Sequence, residues 1–552
     1  MSYNDTFKKW LLDPRIDADS RTELAQIASD SNEIKMRFGK ELEFGTAGMR
    51  GTIGVGTNKM NIYTVKRATQ GLADFIKTKG EKAMQRGVVI SYDTRLKSDV
   101  FAMAAAETLA ANNITSHVFD DVHPVPMLSY AVRQLKAFAG IMITASHNPK
   151  EYNGYKVYGE DGAQMNPDDT DVVVSFINRI SDYLGPVKPN SLQTGKYIKT
   201  VPSKIDKKYY KELKKLALSP KAVKTHGKKL KLVYTPVHGS GYVPVTTILK
   251  KIGINATAVK EQTKKDTEFS TVAVPNPEYK ETLAMGIDLA QKIGATVVFG
   301  TDPDSDRLGV AVKNKEGGFE ALSGNQVGIL LLDYILTRLS EDGALPANAA
   351  VVKSFVSTSM AKAICAKYNV KLFEVPVGFK FIGEKIKIWE NTHEYTFVFG
   401  FEESCGYLRG THARDKDAVV ASMLTAEMVC YYATKNKTVF DRLQEIYDTY
   451  GYVLDSNISI PFTGLNAMED MNLVVNSLKE KPAAKFDIYK VSTVRDYSRN
   501  VKIDIETGAE SEIEKSFPLT NCIYYELENG SFICVRPSGT EPKLKIYFSV
   551  KA

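Results

Sequence analysis

The sequence predicts an α/β protein in which three similar α/β domains with mixed, largely parallel sheets are followed by a smaller C-terminal α+β domain. Three observations lead there. A chain of 552 residues exceeds what one hydrophobic core supports, so it divides into roughly three to five domains. Strands rich in Val and Ile alternate with helical patterns in the same order three times over, as α/β units do. The C-terminal stretch changes to short alternating strands separated by turn residues, which suits a mainly antiparallel sheet.

The first repeat opens with GVVISYDTR (87–95), continues through NITSHVF (113–119) and closes with AGIMITASHNP (139–149). The second runs KLVYTPVHGSG (231–241), INATAV (254–259) and ATVVFGTDPDSDR (295–307). The third runs AVVKSFVST (350–358), NVKLFEV (369–375) and YTFVFGFEES (395–404). Each opens with a strand ending in small polar residues and closes with a strand running into a polar loop. Ligands of open parallel sheets gather beyond the carboxyl ends of strands, so the three closing loops lie where function is expected. A helical stretch ending near EIYDTYGY (445–452) precedes the last domain. That domain is built from KFDIYKVSTV, RNVKIDIETG, TNCIYYELENG and SFICVRPSGTEPKLKIYFSV, with NSLKEKPAAK (476–485) as a helix end and polar connection. The expected domains are residues 1–205, 206–317, 318–445 and 446–552.

Composition removes several functional classes. The 43% hydrophobic and 25% charged content is that of an ordinary soluble protein. No apolar run approaches the roughly 18 residues that span a bilayer, and MSYNDTFKKWLLDPRID has Asp and Lys where a signal peptide carries its apolar centre. A cytoplasmic protein without a membrane partner is expected. The five cysteines are scattered without a CxxC pair, so neither a disulfide framework nor a zinc site is indicated. A net charge of +7 fits anionic small substrates. The lysines do not gather with interleaved aromatics, which argues against nucleic acid. The most basic run, KAVKTHGKKLKL (221–232), reads as a solvated approach to the strand that follows.

The closing loops carry chemistry. In the first, Pro149 supplies no N–H and pushes Asn148 into an extended conformation, while Asn153-Gly154 adds a turn, so Ser146 is presented at a strand end as a nucleophile candidate beside His147. In the second, Asp302, Asp304 and Asp306 alternate after a buried strand; in a strand-like loop their side chains point the same way and can converge on one hard cation such as Mg²⁺. Without a cation these carboxylates would repel and raise one another's pKa. Arg307 stands ready for a bound phosphate. In the third, Glu402, Glu403 and Ser404 offer hydrogen-bond partners for vicinal sugar hydroxyls. RDKDA (414–418) either locks that loop by ion pairing or contacts ligand directly. Lys380 lies just beyond another strand of the same repeat, placed to pair with phosphate or donate a proton. In the last domain RPSGTEPK (536–543) combines Arg536, Ser538, Gly539, Thr540 and Lys543 in a turn suited to clamp phosphate. EFGTAGMRG (43–51) is glycine-rich with one cation, Arg50. A serine, a three-carboxylate metal site, a phosphate clamp and a polyol reader are the parts of a phosphosugar phosphoryl transferase.

TASHNP, TDPDSDR, GFEES and RPSGTEPK, in that order over almost the full length, resemble the hallmarks of the α-D-phosphohexomutase superfamily. EFGTAGMRG, NGYKVYGEDGAQ and RDKDA resemble the branch that holds bacterial α-phosphoglucomutases and phosphopentomutases. The resemblance implies four domains around a central cleft, and a Ser146 that carries a phosphoryl group with its oxygen completing the Mg²⁺ site of Asp302, Asp304 and Asp306. Phosphoserine would phosphorylate the free hydroxyl of a hexose phosphate. The resulting bisphosphate would turn over in the cleft and return its other phosphoryl to Ser146, so glucose 1,6-bisphosphate is the implied intermediate and activator. Arg50, Lys156 and Lys380 match positions near the transferring group, with His147 catalytic or structural. Thr46, Arg307, Gly378, Glu402, Ser404, Arg414 and Lys416 would contact substrate, and Arg536, Ser538, Gly539, Thr540 and Lys543 the non-reacting phosphate. A monomer or weak dimer is expected.

Ser305 stands where alanine is common, HPVP (123–126) replaces PTP, and Val377 replaces a threonine frequent before Gly378, which bears on sugar contacts. The expected reaction interconverts α-D-glucose 1-phosphate and glucose 6-phosphate, with ribose, deoxyribose or mannose 1-phosphate as alternative substrates. Serine-dependent metal hydrolysis is a competing class. It needs a His-rich second metal site, and the seven histidines do not cluster. A catalytically silent sensor would have lost the serine or a carboxylate, and all are present.

Overall fold

The computed structural model describes residues 2–45, 48–185, 188–463, 466–513, 519–538 and 543–551. Four sheets are arranged along the chain. In the first, the strands run from edge to edge as Met49–Thr52, Tyr152–Gly159, Ala139–Ile143, Val88–Tyr92, Ser116–Val118 and Ile198–Thr200. In the second the order is Phe319–Leu322, Leu308–Lys313, Val297–Thr301, Leu232–Thr235 and Ala256–Ala258, and in the third Lys371–Val375, Ala349–Ser354, Thr396–Glu402 and Gly406–Leu408.

The three repeats share one topology. An opening strand pairs in parallel with the middle strand on one side and the closing strand on the other. The closing strand then pairs antiparallel with the next strand in sequence. Each polar loop is therefore the connection of that antiparallel pair, displayed at the carboxyl end of a buried parallel strand. Each also contains one non-glycine residue in the left-handed region: Ser146 (φ 51°), Ser305 (φ 51°) and Cys405 (φ 60°). Such a backbone costs energy for residues with a Cβ and persists where surrounding contacts impose it.

The fourth sheet is antiparallel throughout, from Val453–Pro461 at one edge through Lys543–Lys551, Phe532–Pro537, Ile523–Leu527, Tyr489–Asp496 and Val501–Asp504 to Glu510–Glu512. Helix Ala467–Glu480 buries Met471 and Val475 against it. The divisions expected at 205/206 and 445/446 fall inside helices Lys204–Lys215 and Val439–Tyr450. That expected at 317/318 falls in the turn joining two strands of the second sheet.

One apolar core runs through the first three sheets, from Val89 and Tyr130 through Tyr234 and Val297 to Leu332 and Met423. Its axis is helix Ala418–Ala433, largely apolar around its circumference and buried along most of its length, as a helix enclosed by protein must be. Buried polar ties fix the units around it. Tyr209 Oη donates to Asp417 Oδ2 at 2.8 Å, and Glu427 accepts the N–H groups of Leu218 and Ser219 at 2.8 and 2.6 Å. The N-terminal helices Tyr3–Leu12, Ala18–Gln26 and Ser31–Phe38 are capped by Ser2, Asp17 and Asp30. They pack Phe7, Trp10 and Phe38 on Tyr63 and Tyr183.

Candidate active site

The carboxylate loop begins where strand Val297–Thr301 ends. It is a turn rather than the strand-like segment that alternation suggests. Asp302 Oδ1 accepts the N–H groups of Asp306 and Arg307 at 3.1 and 3.0 Å, and left-handed Ser305 folds the chain back. Segments from three parts of the chain clasp it. Val125 N–H donates to Asp304 O at 3.0 Å, Ser240 N–H to Pro303 O at 2.8 Å and Ala418 N–H to Ser305 O at 3.3 Å. Gly239 permits the closest approach, since a Cβ there would lie 2.6 Å from Pro303 Cα.

One oxygen from each of Asp302, Asp304 and Asp306 lies within 4.8 Å of the others, and all three residues are buried. Burial and then the neighbouring carboxylates push Asp302 well above the usual range, and burial with Asp304 raises Asp306. Asp304 is held low although burial opposes it, because the Lys156 ammonium sits against it. The cluster thus lacks full compensation for its negative charge. Asp304 Oδ1 and Asp306 Oδ1 are buried with no hydrogen-bond partner among the described residues. Hard, buried and unpartnered oxygens on a short loop fit a small divalent cation such as Mg²⁺.

Ser146 stands at the strand end as expected but is only 3% exposed, because its loop packs against the carboxylate loop. Its Oγ donates to Asp302 Oδ2 at 2.9 Å and lies 3.3 Å from His147 Nδ1. Burial and the cations Arg307 and Arg50 hold the His147 imidazole well below its ordinary pKa, hence neutral. Lys156 Nζ is 2.9 Å from Asp304 Oδ2 and 4.0 Å from Asp306 Oδ2. Lys416 Nζ is 3.2 Å from Asp306 Oδ2 and 3.0 Å from Asp415 Oδ1. Arg50 Nη1 donates to Asn148 Oδ1 at 2.9 Å, and Arg307 faces Glu278 at 3.6 Å. Serine, carboxylates and these cations form one constellation.

The third repeat contributes a neighbouring group. Glu402 Oε1 accepts Gly378 N–H at 2.7 Å. Burial, against the pull of Lys416, pushes the Glu402 carboxyl up to about 7. Ser404 lies half-buried in the turn that follows, joined to the carboxylate loop by Leu308 N–H donating to Cys405 O at 3.0 Å. Lys380 is in the first turn of helix Phe379–Thr392, half-buried, with a pKa lowered by burial. Arg414 is the clearest departure from a ligand-contact role. Its guanidinium pairs with Glu390 and donates to the carbonyls of Thr411 and Ala413, while its N–H donates to Ser129 Oγ at 2.9 Å. It locks the RDKDA loop onto the first repeat instead of facing the carboxylates. Of the residues expected to clamp phosphate, Arg536 and Ser538 lie at the end of Phe532–Pro537 and Lys543 begins the next strand. Thr46, Gly539 and Thr540 lie outside the described residues.

The sequence reading missed Arg95. Buried at 2% exposure, it donates to the carbonyls of Ser146 (2.6 Å), Pro149 (2.8 Å), Tyr152 (3.0 Å) and Asn148. Asp93 Oδ2 stands 3.4 Å from Arg95 Nε and accepts Thr144 Oγ1 at 2.7 Å; Thr144 Oγ1 in turn accepts Ser146 N–H at 2.7 Å. Arg95 and Asp93 together set the backbone that holds Ser146 at positive φ. Charged residues in the DTR run at the end of a buried strand were the available signal.

Family comparisons agree with this geometry. The phosphoglucomutase/phosphomannomutase α/β/α domains I, II and III match residues 41–184, 207–317 and 323–450. A phosphoglucomutase of Staphylococcus aureus (strain USA300) is 35% identical over 524 residues, covering 94% of this chain and 92% of its own. The chain belongs to the phosphoglucomutase/phosphomannomutase family, within the α-D-phosphohexomutase superfamily. The family fold recurs in two crystal structures. A phosphoglucomutase/phosphomannomutase family protein from Burkholderia thailandensis superposes with TM-score 0.66 at 18% identity, covering 92% of this chain and 93% of its own. The open form of Paramecium parafusin, a phosphoglucomutase, superposes with TM-score 0.68 at 18% identity, covering 94% and 91%. As a member of this family the chain is a phosphotransferase of the isomerase type. No helix among the described residues is long and apolar enough to cross a membrane.

Proposed function

We propose that this family member is a phosphoglucomutase, interconverting α-D-glucose 1-phosphate and glucose 6-phosphate through a phosphoserine at Ser146 and a glucose 1,6-bisphosphate intermediate. The observation that carries the reading is Ser146 Oγ, 2.9 Å from Asp302 Oδ2 at the rim of three converging carboxylates. The S. aureus phosphoglucomutase, similar over nearly the whole chain, supports glucose as the sugar.

Asp302, Asp304, Asp306 and the Ser146 oxygen would hold Mg²⁺, which, when bound, would neutralise charge developing on the transferring phosphoryl. The protein's own groups do the rest. In the forward half-reaction the O–P bond at Ser146 breaks as a sugar hydroxyl oxygen bonds to phosphorus; the departing Ser146 oxygen takes up a proton, and the sugar gives up its own. Lys380, whose pKa burial lowers, is the acid/base group proposed for that proton, because its neutral form is more accessible than that of a solvated lysine. Arg50 and Lys156 supply fixed positive charge at the serine end. Neutral His147 can relay the serine proton when Ser146 is unphosphorylated. Glu402 and Ser404 would read the sugar hydroxyls, while Arg536, Ser538 and Lys543 would hold the phosphate that is not reacting. The second half-reaction uses the same two phosphate sites with the bisphosphate reversed. The domain divisions proposed with this reading follow the helices, so that Lys204–Lys215 opens the second unit and Val439–Tyr450 closes the third.

The test is kcat/KM for glucose 1-phosphate, mannose 1-phosphate and ribose 1-phosphate, each with Mg²⁺ and a trace of the matching bisphosphate. A preference for glucose is expected. A preference for ribose would replace the reading with a phosphopentomutase, and a preference for mannose with a phosphomannomutase.

A further inference from the structure

The segment of the second repeat between strand Ala256–Ala258 and helix Ala284–Ile293 holds a strained aromatic residue. Phe269 has φ 47° and is 1% exposed. A bulky side chain in the left-handed region is an outlier that its surroundings must impose. Local bonds impose it here. Phe269 N–H donates to Asp266 O at 3.2 Å and Val272 N–H to Phe269 O at 3.0 Å, while the Asp266 carboxylate accepts the N–H groups of Glu268 and Ser270, each at 2.9 Å. The ring so held meets two groups. One is the Arg95 guanidinium, 5.2 Å from the ring centroid. The other is the His238 imidazole, edge-to-face with centroids 6.4 Å apart.

Each neighbour belongs to a different half of the reaction centre. Arg95 holds four carbonyls of the serine loop. His238 belongs to the turn that clasps the carboxylate loop, where Gly239 and Ser240 lie against Pro303. That imidazole is fixed: its Nδ1 is 2.9 Å from Lys264 O, its Nε2 is 2.8 Å from Thr271 Oγ1, and its backbone N–H donates to Gln262 O at 3.0 Å. Arg95 is held less firmly. Its Nε has no hydrogen bond among the described residues and stands 3.4 Å from Asp93 Oδ2, so Asp93 supplies charge with little direction. The N–H groups of a guanidinium lie in its plane, so a ring packed on it sets where all of them point. A second tie between the same loops, Lys150 Nζ to Glu268 Oε2 at 2.8 Å, joins side chains about half exposed, and such pairs contribute little. We infer that Phe269 is a positioning residue for phosphoryl transfer: its ring, set between Arg95 and His238, registers the Ser146 loop against the Asp302 loop. It acts through Arg95. The inference rests on the phosphoserine reading of the site and adds to it a residue of the second repeat.

The test is Phe269→Leu, which keeps an apolar side chain and removes the ring face. Phe269→Met, whose flexible chain refills the site without a ring, is measured beside it, so a leucine variant that fails to fold leaves the question decidable. Loss of a buried cation–π contact is expected to lower kcat about 3- to 30-fold, with KM changed less than about threefold. In an Arg95→Met background the same substitution should lower kcat less than about twofold further, because the group it acts through is gone. Amide hydrogen exchange of the ligand-free protein gives a readout that needs no substrate: peptides covering residues 144–152 should exchange about 10-fold faster than in wild type, and peptides of the C-terminal sheet at the same rate. A kcat within about twofold of wild type, or serine-loop exchange no faster than in wild type, would overturn the inference. So would an undiminished loss of kcat in the Arg95→Met background, or faster exchange throughout the protein, which marks a merely structural phenylalanine. Turnover of the unmodified enzyme on glucose 1-phosphate decides the phosphoglucomutase reading, whereas exchange at the serine loop decides this one, so the two failures are distinguishable.

Discussion

Arg95→Met removes a guanidinium that touches no part of the proposed substrate yet holds the serine loop by four carbonyls, those of Ser146, Asn148, Pro149 and Tyr152. Two consequences follow from the structure. The first is stability. Asp93, 1% exposed, loses the cation beside it, and removing one member of a buried pair costs about 3–5 kcal/mol because the other charge stays buried. Burial itself lowers the Arg95 pKa, so the four hydrogen bonds mainly offset desolvation and are not added again. The second is positioning. Ser146 has φ 51°, a conformation that contacts must impose, and without them its Oγ relaxes away from Asp302. A displacement near 1 Å at a reacting atom costs about 10²-fold in rate. The expected outcome is a kcat lowered about 10²-fold with KM changed less than about threefold, and an earlier denaturant midpoint. Arg95→Lys should recover part of the stability through Asp93 but little of kcat, because one ammonium cannot span four carbonyls. Steady-state kinetics and urea unfolding on the same preparations give both numbers. An Arg95→Met enzyme that turns over within twofold of wild type would refute the reasoning.

Two further predictions concern carboxylates. Asp304→Asn should lower kcat by about 10²-fold or more and should abolish the response of stability to Mg²⁺. For the unmodified protein, Mg²⁺ at 100 times its Kd adds about 2.7 kcal/mol, and a melting temperature indifferent to Mg²⁺ would refute the metal assignment. Glu402 has a folded pKa raised by burial from 4.5 to about 7. Its favourable contribution is therefore complete below pH 4.5 and is lost as pH rises through 7, where the carboxylate is forced to ionise while buried. Glu402→Gln keeps the acceptor for Gly378 N–H and removes that cost, so its ligand-free stability relative to wild type should rise between pH 5 and pH 8 by on the order of 3 kcal/mol. Unfolding free energies whose difference is the same at both pH values would contradict this.

The three repeats and the four chemical loops were legible because each is a contiguous stretch with its own signal: a buried strand, then polar residues that cannot continue it. The carboxylates of Asp302, Asp304 and Asp306 lie close in sequence, so their convergence needed no knowledge of the rest of the chain. What the sequence did not reveal depends on distant segments. Ser146 is buried by contact with Asp302, 156 positions away. Arg414 turns from the cleft because Glu390 and Ser129 meet it from a helix and from the first repeat. Arg95 lies between these cases, since an Asp-x-Arg pair ending a buried strand is a readable signal of a buried charged network.

The central claim is that Ser146 carries the phosphoryl group between the two forms of the substrate. Incubation of the protein with glucose 1,6-bisphosphate labelled in both phosphates, followed by quench and peptide mapping, tests it most directly. The account predicts one labelled phosphoryl on the peptide containing Ser146, transferred to glucose 1-phosphate or glucose 6-phosphate on chase without release as inorganic phosphate, and absent in Ser146→Ala. Label on another residue, or release of inorganic phosphate at the rate of turnover, would contradict it.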